Sequence, residues 1–227
     1  MDTAHYERYK LSNIKIFCIS LVDAKARRES ILVMRKNLGL NLEIIDAIDG
    51  RKKSKAEMQT ITKRPIRWNC LNGHRDEMKT PTEAACSLSH ISVWERMINE
   101  NLEHAIIIED DVTCQQNATL NKAKDADFVY LSPRANRNPN GEACAPIWGA
   151  EAYYLTNTCA AKLLEINQEL RMPVDIQWLP QMESLIESGF FLTAFTDKNL
   201  HILKAYALPN IFSLNNHHHN SQIRERN

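Results

Sequence analysis

Three isoleucines followed directly by three carboxylates constrain this chain more than any other stretch. Within residues 104–112, the run Ile-Ile-Ile at 106–108 is followed by Glu109, Asp110 and Asp111. A continuous β-branched run is typical of a strand buried on both faces of a mainly parallel sheet. Open α/β sheets bind ligands just beyond the carboxyl ends of their strands. Because adjacent carboxylates repel one another, the cluster indicates either a divalent-cation site that also binds phosphate oxygens or a solvated acidic turn.

Length and composition indicate one globular domain. The chain has 227 residues, of which 44% are hydrophobic and 25% are charged, as in ordinary globular proteins. We expect a cytoplasmic protein, because no apolar run approaches the ~20 residues of a membrane span and the first residues lack the apolar segment of a secretory signal. The six cysteines include no C-x-x-C pair, so we expect reduced thiols and no zinc cluster; they are Cys18, Cys70, Cys86, Cys114, Cys144 and Cys159.

Charge is distributed unevenly along the chain, although the net charge is zero. Residues 1–80 hold 17 Lys and Arg against 10 Asp and Glu, and residues 81–227 hold 11 against 18. A basic N-terminal part would attract a phosphorylated ligand or an anionic membrane surface. The alternative is that its basic residues form an ordinary solvated surface. We do not expect a nucleic-acid partner, since no stripe of arginine and aromatic residues accompanies the charge.

Residues 14–50 have the pattern of a β-α-β unit that opens a nucleotide-binding sheet. Strands are predicted at 14–21 and 42–47, with a helix at 27–38 that ends at Gly39. Asp23, Arg27 and Arg28 lie at the junction where a ligand would approach, and an arginine near a helix N-terminus can bind phosphate. The alternative for either arginine is an exposed surface position.

The rest of the chain divides into four parts. Residues 1–13 are expected to be a loosely held leader, and 51–79 a mobile, basic insertion with a short helix at 55–62. Residues 80–206 form the predicted core, in which 113–126 pack loosely and strands follow at 127–132, 148–156, 190–195 and 200–206. Residues 207–227 form a tail.

The core is expected to begin with a well-capped helix. Thr80 and Glu83 have the spacing of a capping box, and Pro81 occupies the first helical position. The helix extends to about residue 99 and presents a broad apolar face to the sheet, so His90 is predicted to be a core histidine. Asp175 comes two residues after Pro173 and has two alternative roles, as the N-cap of a later helix or as a catalytic residue.

These pieces, in this order, resemble glycosyltransferase family 25, the lipopolysaccharide and lipooligosaccharide transferases related to collagen galactosyltransferases. The resemblance covers roughly residues 14–180. Five segments carry it: Ile-Phe-Cys-Ile-Ser-Leu (16–21) with Arg27-Arg28, Asp-Ala-Ile-Asp-Gly (46–50), Cys-Ser-Leu-Ser-His (86–90), Ile-Ile-Glu-Asp-Asp-Val (107–112) and Gly-Ala-Glu-Ala-Tyr-Tyr-Leu (149–155). The family usually has glycine where this chain has Ala85.

The resemblance implies a GT-A-like α/β domain with a mixed, mostly parallel central sheet flanked by helices. It implies inverting transfer of a sugar, commonly galactose, from a UDP-sugar to a hydroxyl of a lipid-linked lipopolysaccharide or lipooligosaccharide glycan, with possible peripheral contact at the inner membrane face. The element 109–111 takes the place of the family's Asp-x-Asp-like motif and binds Mn²⁺ or Mg²⁺. The metal ligands implied are Glu109, Asp111 and His217, and the residues implied at the donor are Ser20, Asp23, Arg27, Arg28 and Asp110.

An inverting transferase also requires a base for the acceptor hydroxyl. The candidates are Asp175, Glu151 and Glu183, with Asp175 preferred, and His218 or His219 could replace His217 at the metal. A second hypothesis is a non-catalytic carbohydrate- or nucleotide-binding relative, which Ala85 favours. A Mg²⁺ phosphohydrolase or a receiver-like domain is a weaker third, since a receiver would be about half as long.

Overall fold

A computed structural model describes residues 6–68, 78–114, 116, 118–124, 126–131, 150–177, 205–207 and 212–214. The strands are β1 (Tyr6–Lys10), β2 (Ile16–Ser20), β3 (Leu42–Asp46), β4 (His104–Glu109), β5 (Val112–Cys114), β6 (Thr119–Ala123), β7 (Phe128–Tyr130), β8 (Ala152–Thr156), β9 (Ala205–Ala207) and β10 (Phe212–Leu214). The helices are α1 (Lys25–Leu38), α2 (Lys55–Ile61), α3 (Pro81–Asn99), α4 (Asn157–Ile166) and α5 (Val174–Gln177), with one 3₁₀ turn at Leu11–Asn13.

Six strands form the central sheet, in the order β3-β2-β4-β8-β7-β9. Strand β2 pairs in parallel with β3 and β4, and β7 pairs in parallel with β9, whereas β8 is antiparallel to both β4 and β7. Five strands therefore run one way and β8 runs the other. This mixed, mostly parallel sheet with its helices confirms the predicted fold class.

Strand β4 is buried on both faces, as its three isoleucines predicted. Ile107 belongs to a core cluster that includes Trp94 of α3 and Tyr153 of β8. Ile106 and Ile108 belong to a second cluster on the opposite face, with residues of β2 and helix α1. Because successive side chains of a strand point to opposite faces, a polar residue within this run would have to be buried.

Helix α3 begins as its sequence predicted. The Thr80 hydroxyl accepts a hydrogen bond from the Glu83 N–H, and the Glu83 carboxylate accepts from the Thr80 N–H. This reciprocal pairing satisfies two backbone donors that have no partner within the helix. The buried side chains of α3 include Trp94 and His90, both 0% exposed, so the prediction that His90 lies in the core is confirmed.

The opening β-α-β unit also matches its prediction, with β2, α1 and β3 in the expected order. Helix α1 ends at Gly39, whose φ of 61° is left-handed and whose N–H donates to the Arg35 carbonyl. Glycine adopts this conformation without a steric penalty, which explains why the helix stops there. The side chains of β2 are all buried.

Two segments expected to be loose are regular structure, so those expectations are wrong. Strand β1, from the predicted leader, pairs antiparallel with β6, from the predicted loose stretch 113–126. Leu120 and Lys122 of β6 are buried, and Lys122 Nζ lies 2.9 Å from a Glu7 carboxylate oxygen. The two strands form an antiparallel ribbon that buries only alternate side chains. Neither strand therefore shows a long apolar run.

The described part of 51–79 is packed rather than loosely attached, which differs from the mobile insertion that we predicted. Helix α2 is present within the predicted 55–62, and Met58 and Met78 are 0% exposed. The Arg67 N–H donates to the Leu170 carbonyl over 2.8 Å. Long-range backbone pairing of this kind has no signature in a single sequence.

Later in the chain, β7 and β8 lie where strands were predicted, helix α4 follows β8, and β9 overlaps the predicted strand at 200–206. The predicted strand at 190–195 lies outside the described residues. Helix α5 begins at Val174 and places Asp175 in its first turn. The N-cap interpretation of Asp175 is therefore wrong. None of the helices in the described ranges combines the length and apolar character needed to cross a bilayer.

Candidate active site

A cleft opens at the carboxyl ends of β2, β3 and β4. This position is where open α/β sheets bind ligands. Residues from the strand ends, from the loop after β3 and from α3 line it: Ile19, Ser20, Leu21, Arg27, Ala47, Ile48, Asp49, Gly50, Arg51, Thr82, Cys86, Ser89, His90, Glu109, Asp110 and Asp111.

Asp110 is held by two partners from the β2–α1 region. The Ser20 hydroxyl donates to Asp110 Oδ2 over 2.6 Å, and the Arg27 guanidinium donates to Oδ1 over 2.9 Å. The Arg27 and Asp110 side chains are only 12% and 10% exposed. The carboxylate thereby joins the end of β4 to the end of β2 and to the first turn of α1, so its orientation is fixed.

Asp111 is in the opposite situation. Its Oδ1 is buried and has no hydrogen-bond partner among the described residues. Burial, followed by the charge of Glu109, raises the Asp111 pKa from 3.8 to about 7, and the nearby Arg27 only partly opposes this rise. A desolvated carboxylate beside other carboxylates is destabilising in its charged form. A bound cation would relieve that cost.

Glu109, the last residue of β4, faces helix α3. His90 Nε2 lies 3.4 Å from Glu109 Oε1, and His90 Nδ1 lies 2.8 Å from the Tyr153 hydroxyl. The Trp94 indole N–H donates to the same hydroxyl over 3.0 Å. Burial lowers the His90 pKa from 6.5 to about 4, so the imidazole is neutral near pH 7 and retains a lone pair on one nitrogen.

Neither of the two predicted base candidates within the described residues is among those that line the cleft. Glu151, 1% exposed, accepts the Glu109 N–H at its backbone carbonyl, and its negative charge contributes to the raised pKa of Asp111. Asp175 lies against α3, where the Val174 N–H donates to the Ser87 hydroxyl over 3.0 Å. The Asp175 charge acts on both His90 and Cys86.

The rim of the cleft carries a paired arginine. Arg51 donates to Asp49 and to Asp23, with N–O distances of 2.8 and 2.6 Å, and thereby connects the loop after β3 with the β2–α1 turn. Hydrogen bonding to Arg51 lowers the Asp49 pKa from 3.8 to about 2. Gly50 lets this loop approach α3, because a Cβ there would lie 2.5 Å from the Pro81 carbonyl oxygen.

The two arginines at the start of α1 differ in role. Arg27 faces the cleft through Asp110, whereas Arg28 donates to the backbone carbonyls of Ser20 and Leu21 and to the Asp46 carboxylate. Arg28 therefore fixes the strand ends and does not line the cleft. The sequence predicted both arginines at the donor, and of the two only Arg27 lines the cleft.

Comparison with known proteins identifies the family of this sheet and cleft. The family model described as glycosyltransferase family 25 (LPS biosynthesis protein) matches residues 13–142. The chain belongs to glycosyltransferase family 25. The matched range includes β2, α3 and the carboxylate element, which confirms the resemblance found in the sequence.

Individual family 25 relatives are long proteins. A Bos taurus protein named probable inactive glycosyltransferase 25 family member 3 is 30% identical over 198 residues, which are 76% of this chain and 32% of the relative. A Drosophila melanogaster glycosyltransferase 25 family member is 28% identical over 217 residues, 86% of this chain and 34% of the relative. Procollagen galactosyltransferase 2 of Mus musculus is 33% identical over 153 residues, 60% of this chain and 23% of the relative. The chain thus spans about a third or less of each.

Among solved structures, a glycosyltransferase involved in glycosylation of the PBCV-1 major capsid matches with a TM-score of 0.43 and 8% sequence identity. The match covers 88% of this chain and 93% of that chain.

The acidic element of this family 25 chain fits a hard divalent cation. Carboxylate oxygens are the ligands that Mg²⁺ and Mn²⁺ prefer. The buried Oδ1 of Asp111 is such an oxygen, and no described residue donates a hydrogen bond to it. Glu109 and Asp110 precede Asp111 in the chain, and all three line the cleft. His217, His218, His219 and Glu183 lie outside the described residues.

The structure therefore brings together part of the set of residues predicted for the site. Ser20, Arg27 and the three carboxylates line one cleft, and Asp23 contacts its rim through Arg51. Sequence reasoning missed Cys86, Asp49 and Arg51. Two signals were available: Cys86 and His90 are four residues apart, and therefore on one face of α3, while Asp49 and Arg51 flank the glycine turn after β3.

Proposed function

We propose that this chain is the transferase domain of an inverting glycosyltransferase, which transfers a sugar from a UDP-sugar to a hydroxyl of a glycan. Galactose is the proposed sugar. The observation that carries the proposal is the buried, unsatisfied Oδ1 of Asp111 within a cleft at the strand ends of a family 25 domain. A desolvated carboxylate with a strongly raised pKa in a cleft is typical of functional sites.

We propose Mn²⁺ or Mg²⁺ as the cofactor, with Glu109 and Asp111 as ligands and Asp110 beside them. When bound, such an ion neutralises the negative charge that develops on the departing diphosphate. Ser20 and Arg27 hold Asp110 in one orientation, and this keeps the acidic element fixed before the donor arrives. Arg27 also places a positive charge where the phosphates approach.

Asp175 is the proposed base. Its carboxylate would accept the proton of the acceptor hydroxyl while that oxygen forms a bond to C1 of the sugar. The bond from C1 to the diphosphate oxygen breaks, and its electron pair leaves with the nucleotide. The charge of Asp175 acts on His90 and Cys86, which line the cleft, and this supports the role. Glu151 is the second candidate, since it lies beside Asp111.

For the acceptor, we propose a lipid-linked lipopolysaccharide or lipooligosaccharide glycan, in line with the description of the family. The reaction would take place at the inner face of the cytoplasmic membrane, to which the basic first 80 residues would be attracted. The procollagen galactosyltransferase among the relatives supports galactose as the sugar and offers a protein-linked hydroxyl as the contrasting acceptor.

The test compares Asp111→Asn with the wild type in Mn²⁺-dependent UDP-galactose turnover. Loss of several kcal/mol of charge stabilisation corresponds to about a thousandfold lower rate. Asp46→Asn is the matched control, because Asp46 is an exposed carboxylate at the end of β3, which β2 separates from β4 in the sheet. We expect this control to retain turnover.

A thermal-shift assay provides a second readout. A UDP-sugar with Mn²⁺ at 100 times its Kd should stabilise the native protein by about 2.7 kcal/mol, and Asp111→Asn should abolish this gain. Full turnover by Asp111→Asn would contradict the proposal.

A non-catalytic binding domain is the second candidate, and one observation favours it. Several relatives carry the word inactive in their names, including the one from Bos taurus. Metal-independent UDP binding, with no product from any donor and acceptor, would favour this function over transfer.

A further inference from the structure

A second set of potential ligands lies next to the acidic element and differs from it in chemistry. One ligand atom each of Cys86, His90 and Glu109 lie within 4.8 Å of one another. We propose that these three side chains form a binding site for a thiophilic divalent ion of the Zn²⁺ class, and that this ion competes with the hard cation for Glu109. The paired-cysteine patterns usually used to recognise zinc sites do not detect this arrangement.

The geometry is close to what Zn²⁺ requires. Zinc binds sulfur at about 2.3 Å and nitrogen or oxygen at about 2.0–2.2 Å, so tetrahedral ligand atoms lie roughly 3.5 Å apart. His90 Nε2 and Glu109 Oε1 are already 3.4 Å apart. Cys86 and His90 lie one turn apart on α3, which is a rigid support for two ligands.

The environment of His90 favours metal binding through Nε2. Nδ1 lies 2.8 Å from the Tyr153 hydroxyl, which also accepts from the Trp94 indole N–H. With its hydrogen on Nδ1, the ring donates to Tyr153 and presents the Nε2 lone pair to Glu109 and Cys86. Metal-binding histidines almost always have their other nitrogen fixed in this way.

Negative charge surrounds the site. Four carboxylates, Glu109, Asp175, Glu83 and Asp111, act electrostatically on the Cys86 sulfur. An ordinary cysteine thiol is protonated near pH 7. Binding of the ion forms the metal–sulfur bond and releases the thiol proton to solvent.

The two ligand sets select different ions but share one residue. Mg²⁺ and Mn²⁺ prefer carboxylate oxygens, whereas thiolate and imidazole favour Zn²⁺ and Co²⁺. Glu109 can serve either set. Occupation of the Cys86 site would therefore weaken the hard-cation site, and under the proposed function Zn²⁺ would inhibit turnover. The binding itself does not depend on that function.

The test uses Co²⁺ as a spectroscopic substitute for Zn²⁺ on the metal-free full chain. We expect one equivalent of Co²⁺ to produce a thiolate-to-cobalt charge-transfer band, with release of one proton, and Zn²⁺ to remove the band. Cys86→Ser should eliminate the band, and His90→Gln should weaken Zn²⁺ binding at least tenfold. Tyr153→Phe should weaken it about tenfold, the usual effect of losing a ligand-orienting partner. Excess Mn²⁺ should raise the Co²⁺ concentration that is needed to produce the band.

Cys114→Ser is the matched control, since Cys114 is also a half-buried cysteine but is not among the residues that line the cleft. We expect it to retain the band. Absence of the band in the wild type, or its persistence in Cys86→Ser, would overturn the proposal. These readouts do not involve sugar transfer, so their failure leaves the proposed function standing, and an inactive enzyme leaves the cobalt result interpretable.

Discussion

Glu43 lies on β3 of the central sheet and Asp111 lies just after β4, and the surroundings of their carboxylates are opposite. Glu43, on β3, accepts hydrogen bonds from Lys15 and from Arg96, each over 2.6 Å, and these bonds lower its pKa. Asp111 follows β4, and its Oδ1 has no hydrogen-bond partner among the described residues. Its pKa is raised to about 7.

This difference distinguishes a carboxylate that stabilises the fold from one that the fold accommodates at a cost. The paired Glu43 connects β3 to the neighbouring strand β2 and to helix α3. Asp111 loses hydration and gains negative neighbours, so its charged form favours unfolding. A protein retains such a group where a ligand offsets the cost. Glu43 therefore belongs to the scaffold, and Asp111 belongs to the candidate site.

The largest expected effect comes from removing the charge of Asp111. In metal-free protein at pH 8, we expect Asp111→Asn to raise the free energy of unfolding by up to about 4 kcal/mol, because a shift from 3.8 to about 7 corresponds to that amount. Urea denaturation in EDTA measures it. Lower stability of the variant under these conditions would show that Asp111 makes favourable contacts, and would break the contrast with Glu43.

The second prediction concerns His90, a buried group that is destabilised by acid. Its folded-state pKa of about 4 lies below the unfolded value of 6.5. The unfolded chain therefore binds more protons between these values, and stability falls as pH decreases from 6.5 to 4, by about 3 kcal/mol. Asp111 has the opposite dependence, with stability falling as pH rises from 3.8 to 7.

The two dependences are separated by measuring unfolding against pH in the metal-free Asp111→Asn variant. In this variant the free energy of unfolding should fall more steeply with decreasing pH than in the wild type. Adding His90→Gln to the same variant should remove this fall. An unchanged profile in the double variant would assign the pH dependence to other groups.

The smallest expected effect is that of Glu43→Gln. Glu43 is partly exposed, with 37% of its side chain accessible, and partly exposed ion pairs contribute about 1 kcal/mol or less. We expect Glu43→Gln to lower the free energy of unfolding by that amount in chemical denaturation. We expect no change in the Mn²⁺-dependent binding of UDP-sugar. A large effect on binding would place Glu43 with Asp111 and would remove the distinction between scaffold and site.

Local sequence patterns were sufficient for the central elements. The isoleucine run predicted a strand buried on both faces, Gly39 predicted the end of α1, and Thr80 with Glu83 predicted the start of α3. Each prediction rests on short-range chemistry, such as backbone capping or side-chain alternation, that the chain carries in adjacent residues. The ribbon of β1 and β6 was missed because its pairing joins residues more than 100 positions apart, and no local signal records the partner.

The sequence by itself determined that a strand ends in three carboxylates at the ligand-binding edge of an α/β sheet. Only the tertiary structure decided that Asp110 is bound by Ser20 and Arg27 while Asp111 Oδ1 is buried without such support. It also decided that Cys86 and His90 face Glu109, and that Asp175 lies beside them. The physical reason is that residue types and spacing fix local conformation, whereas desolvation and charge pairing depend on what distant segments bring within a few ångströms.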